Sequence, residues 1–158
     1  MFPGKTYSAP LFFSLSENVN LQSIATHAWA YPMLEVLHLL GVSLILGNLA
    51  LVELRVLGLG RSLPIAPLAR VALPIVLTGA LLCVVSGLLM FASQAGEFLA
   101  NRLFTLKMIL LALAATNAVW FHLRGSLEKL DLVARLSALV SLAIWLAVLS
   151  LGRWIAYA

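Results

Sequence analysis

The chain has 158 residues, of which 63% are hydrophobic and only 10% charged, with a net charge of +4 and a mean hydropathy of +1.06. A soluble domain is typically about 45–50% apolar and about 25% charged, and a small one keeps much of its area wet, so this composition excludes a soluble globular fold and points to lipid as the solvent. The small positive charge comes without a basic patch interleaved with aromatics, which argues against nucleic-acid binding; the lone Cys83 excludes an internal disulfide.

From Phe2 to Asn20 the chain carries one lysine, no long apolar core and no small-residue cleavage site, so it does not read as a signal peptide. Residues 1–30 form an N-terminal periplasmic or interfacial segment, in which Pro10 to Leu15 is too short to span and suits a short amphipathic surface piece. Residues 31–158 then hold four stretches long enough to cross ~30 Å of hydrocarbon. The expected spans are Pro32 to Leu54, Val71 to Ala92, Leu103 to Leu123 and Val133 to Trp154. Proline fits the first turn of a helix, where its missing N–H costs nothing. The connections, Gly58 to Pro67, Ser93 to Arg102 and Arg124 to Leu132, are short enough to make sequential helices antiparallel. The expected fold is an all-α, up-down-up-down four-helix membrane bundle.

Charge orients it. One side carries Arg55, Arg61, Arg70, Arg124, Lys129 and Arg135, the other Lys5, Arg102 and Arg153. The richer side is expected to be cytoplasmic, with both termini periplasmic and the chain a multi-pass protein of a bacterial inner membrane. A weak internal repeat relates Asn48 to Asn117, 69 residues on, and in that register Glu53 meets His122 and His38 meets Lys107.

Ionisable groups inside hydrocarbon cost at least ~2.5 kcal/mol each on insertion scales, which makes them the first place to look for function. Glu35 and His38 are three apart and share a helix face, so Glu35 is expected to orient the imidazole. Lys107 and Arg153 fall at similar depth, so all four converge on one pocket in the periplasmic half, with Tyr31, Trp154 and Tyr157 at its rim. His38 is the natural metal ligand of the set, because neutral imidazole binds metals and also carries protons. As a haem b ligand it lacks an evident second histidine. His122 lies about 15 Å deeper and His27 about 16 Å higher at 1.5 Å per residue; Met90 and Met108 lie nearer its depth. A quinone pocket needs no second axial ligand. Copper held by Glu35 and His38 is the alternative, although copper(I) calls for softer ligands, and Cys83 sits nearer mid-span. At the cytoplasmic rim Glu53, Arg55, His122 and Arg124 are expected to form an interfacial salt-bridge group. Asn48 and Asn117 can hydrogen-bond across helices, and Gly41, Gly47, Gly79 and Gly87 permit close approach.

Several motifs resemble those of a family of small bacterial four-helix membrane proteins of unassigned function. They are Tyr31-Pro-Met-Leu-Glu35-Val-Leu-His38, Glu53-Leu-Arg55-Val-Leu-Gly58, Asn101-Arg-Leu-Phe104-Thr-Leu-Lys107 with Asn117, and Gly152-Arg153-Trp154-Ile-Ala-Tyr157. The second usually begins with Asp, where this chain has Glu53. That family is distantly similar to the membrane domain of copper-resistance protein D and to small b-type cytochromes. The resemblance implies a redox or copper context and points to Glu35, His38, Lys107 and Arg153. The expected function is thus a membrane electron-transfer component binding haem b or a quinone. The alternatives are copper handling, or an accessory subunit of a larger membrane complex or homo-oligomer. With no nucleophile triad, phosphate loop or zinc-protease motif, hydrolytic chemistry is poorly supported.

Overall fold

The computed structural model describes residues 29–155, and among them every regular element is a helix. In chain order these are α1 (Ala30–Leu57), α2 (Ile65–Ser93), α3 (Ala95–Ala100), α4 (Arg102–Leu123), α5 (Ser126–Lys129) and α6 (Leu132–Ile155). The expected surface piece at Pro10 to Leu15, together with Lys5, His27 and Tyr157, lies outside the described residues. The four long helices α1, α2, α4 and α6 are each long and apolar enough to cross a membrane, so the chain is a multi-pass, all-α four-helix membrane protein.

The spans differ from expectation mainly in α2, which starts at Ile65 instead of Val71 and takes in both Pro67 and Pro74. Pro67 falls among the first four residues, whose N–H groups have no intrahelical partner in any case. Pro74 removes one interior hydrogen bond, a loss that membrane helices absorb through neighbouring helices and Ser/Thr side chains. The first connection therefore shrinks to Gly58–Pro64. Gly58, at φ 104°, ends α1 in the left-handed conformation. Its N–H bonds to the Arg55 carbonyl, and that of Leu59 to the Leu54 carbonyl, which satisfies carbonyls a helix end leaves open. The other two connections contain the short helices α3 and α5. Asn101 accepts from the Leu103 N–H to start α4, and Asp131 accepts from the Ala134 N–H to start α6.

Contacts pair low numbers on one helix with high numbers on the next: His38 with Ser86, Gly41 with Gly79, Asn117 with Ser137. The long helices are thus successively antiparallel. Their packing is a curved row in the order α2, α1, α6, α4, with α1 and α6 at its centre. Ala30, Ser93, Arg102 and Ile155 mark one end, here the terminal end, and the loops after Leu57 and Leu123 mark the other, the hairpin end. At the hairpin end Val56, Ala134 and Ala138 form a tight core, surrounded by Ile65, Phe121, Leu127 and Leu130. At the terminal end Phe91, Phe98 and Phe104 stack, with centroids 5.2–6.3 Å apart, and tie α2, α3 and α4 together. Large apolar side chains face outward instead. On α2 the stripe Leu77, Leu81, Val84 and Leu88 is 56–69% exposed, a lipid-facing pattern at helical spacing.

Candidate functional site

The crossing of α1 and α2 seats His38. A Cβ on Gly41 would lie 2.7 Å from the Gly79 carbonyl oxygen, and one on Gly79 would lie 2.7 Å from that of Gly41. Only glycine on both helices allows this approach. About two turns further along α2 towards the terminal end, Gly87 makes room for the imidazole, since a Cβ there would come within 3.3 Å of His38 Cε1. The Cys83 thiol donates to the His38 carbonyl at 3.5 Å.

His38 Nδ1 lies 3.0 Å from the Ser86 hydroxyl. That hydroxyl is itself 2.6 Å from the Leu82 carbonyl oxygen, to which it donates. A serine hydroxyl has one proton, so with that proton committed to Leu82 it accepts from His38. In that arrangement the imidazole hydrogen is on Nδ1 and the lone pair on Nε2. Ser86 is 2% exposed, so water cannot compete for it.

Lys107 of α4 reaches the same region from across the row. Its ammonium sits against Gly152 of α6, whose Cβ would lie 3.6 Å from Nζ, and it is within electrostatic reach of His38 and Cys83. No hydrogen bond joins Lys107 to a described residue. Among the sequence candidates, then, the structure brings His38 and Lys107 together. Glu35 is exposed on α1, within electrostatic reach of Tyr31, and makes no hydrogen bond to His38. The partner that orients the imidazole is Ser86 on α2, not Glu35. Arg153 and Trp154 are exposed on the last turn of α6, beside Gly152. Met90 is half-buried and Met108 exposed. Among the described residues no three His, Cys, Asp or Glu side chains gather as a metal-ligand set.

Sequence reasoning missed Ser86 and Gly152. A small residue at each place was visible, but which partner it faced depends on the packing of two helices. The expected interfacial salt-bridge group at the hairpin end is not formed. Arg124 pairs with Asp131 through two hydrogen bonds, at 3.0 and 2.6 Å. Arg55 donates to the Leu63 and Arg61 carbonyls, and His122 Nδ1 lies 2.8 Å from the Ala118 carbonyl oxygen. Glu53 is buried instead, because it shares the inward face of α1 with Val52 and Val56, whereas Arg55 lies on another face. The paired asparagines of the repeat also part ways. Asn48 donates to the Leu44 carbonyl of its own helix, while Asn117 and Ser137 bond reciprocally, at 3.1 and 2.8 Å.

In comparison with known proteins, the chain matches no family model, no curated protein and no solved structure.

Proposed function

We propose that this protein is an electron-transfer component of a bacterial inner membrane that binds a quinone headgroup in the periplasmic half of its bundle. The observation that carries this reading is an imidazole held through Nδ1 by Ser86, with an ammonium group from across the row within electrostatic reach of it. A quinol hydroxyl offers a proton and a quinone carbonyl accepts a hydrogen bond. His38 Nε2 suits the first and Lys107 suits the second. A small, lipid-soluble ligand also suits a site between membrane helices, which it can enter from the bilayer. The electrons pass to or from a redox partner; the residues of this chain hold the headgroup and move its proton. Arg153, at the same end, supplies positive charge at the rim.

A haem b reading shares the free Nε2, the nitrogen an iron would take. The α2 backbone at Gly87 closes one flank of the ring, however, and neither Met90 nor Met108 is paired with it as a second ligand. Copper handling has less support, since among the described residues no third His, Cys, Asp or Glu joins Glu35 and His38.

Purification from native membranes in mild detergent, with solvent extraction and chromatography of the extract, tests the reading. Near-stoichiometric quinone is expected from the wild type, with at least a tenfold loss in His38→Ala and a smaller one in Lys107→Met. A folded wild-type protein free of quinone that does not bind added quinone refutes it. A Soret band in the same preparation would assign the site to haem, and copper in elemental analysis to metal handling.

A further inference from the structure

Glu53 lies at the opposite end of α1 from His38 and belongs to neither the quinone reading nor the salt-bridge pairs. It is 7% exposed. Its Oε2 has no surface and no hydrogen-bond partner among the described residues. From α6 the Ser141 hydroxyl is within hydrogen-bonding reach of its carboxyl. The cations of this end are engaged or turned away: Arg124 holds Asp131, Arg55 caps the loop after α1, Arg61 donates to the Gly58 carbonyl, and Arg70, Lys129 and Arg135 are exposed. On its other side is a cavity of about 150 Å³ between α1 and α6, where Leu46, Leu49, Leu142, Trp145 and Leu149 contribute the walls. Water enters a cavity only where several polar groups can hold it, and apolar ones stay dry. Neither a cation nor solvent is therefore at hand to stabilise a carboxylate.

A buried charge without a partner neutralises instead of persisting, and for a carboxylate the way to neutrality is to take up a proton. We propose that Glu53 is an intramembrane proton-binding site, its carboxyl held as the neutral acid in the seam between α1 and α6. The exchange it supports moves one proton. The acid releases H⁺ to water at the hairpin end when the seam parts there, leaving a carboxylate, and regains H⁺ before the seam closes. The adjoining cavity gives the side chain room to swing without displacing packed neighbours. This site stands apart from His38, so the failure of either assignment leaves the other in place.

Infrared spectroscopy of the full chain in lipid nanodiscs at neutral pH, in H₂O and D₂O, tests the proposal. The wild type is expected to show the carbonyl stretch of an un-ionised carboxylic acid. That band should vanish in Glu53→Gln, move in Glu53→Asp, and shift in Ser141→Ala through a changed hydrogen bond. A wild type without such a band overturns the proposal. So does a Glu53→Gln difference spectrum that loses only carboxylate stretches. Should Glu53→Gln not fold, Glu53→Asp decides by the same criterion, since it keeps the carboxyl.

Discussion

At the level of single residues, the protein's polar groups divide into those that fix and those that are left able to react. Ser86 fixes: it spends its proton on Leu82 and its lone pair on His38. Replacing it with alanine removes the acceptor that holds the tautomer. Nitrogen NMR of labelled imidazole should show the proton on Nδ1 in the wild type and a mixture of tautomers in Ser86→Ala. An interhelical hydrogen bond of this kind is worth about 0.6–2 kcal/mol, so quinone affinity should weaken by about 3–30-fold. Asp131 also fixes. The Arg124 guanidinium, followed by the Ala134 N–H, holds its carboxyl well below the usual carboxylate range. A depressed value means the folded state favours the charged form. Its stabilising effect is therefore complete above the ordinary carboxylate pKa and is lost as pH falls towards the depressed value. Asp131→Asn should lower the unfolding temperature at neutral pH. The gap to the wild type should close as pH drops below about 4, which a set of thermal melts in detergent would show.

At the level of elements, two interfaces use opposite means. The α1–α2 pair depends on absence of side chain at Gly41 and Gly79, where each helix meets the other's backbone. A backbone carbonyl cannot turn aside as a flexible side chain can, so Gly41→Ala must part the helices. Overpacking of this sort costs about 1–3 kcal/mol, and because His38 lies one turn away, the same variant should lose quinone. The α4–α6 pair depends instead on a reciprocal hydrogen bond between Asn117 and Ser137. Asn117→Ala should cost about 0.6–2 kcal/mol in reversible unfolding from detergent, while Asn48→Ala, whose bond is to its own helix, should cost less. The difference cannot be read from the repeat, which treats the two asparagines as equivalent.

At the level of the whole molecule, the helices form a row with α2 and α4 at its ends, joined at the terminal end by the phenylalanine stack. Topology makes a direct prediction. Cysteines introduced at Ser62 and Glu128, in a Cys83→Ala background, should react with a membrane-impermeant maleimide from one side of the membrane, and one at Glu97 from the other. Labelling of all three from one side would contradict the antiparallel arrangement. Labelling of the first pair in inverted vesicles would place the arginine-rich end in the cytoplasm.

Much of this was legible in the chain itself. Four apolar runs of sufficient length with short connections require four antiparallel helices, because in lipid the backbone must satisfy its own hydrogen bonds. Local chemistry also marks Glu35, His38, Lys107 and Arg153 as ionisable groups at comparable depth, since depth follows from counting residues along a helix; of these the structure brings His38 and Lys107 to one region. What counting cannot supply is the rotation of each helix about its axis and the choice of its neighbours. Those turned Glu53 inward and Arg55 outward, gave His38 a serine in place of Glu35, and seated the Lys107 ammonium against Gly152. Composition and the lengths of the apolar runs are enough to require a bundle of membrane helices with rare polar groups inside. Tertiary structure alone decided which of those groups meet, because contact between helices is settled by where glycine permits close approach and by which buried polar atoms find a partner.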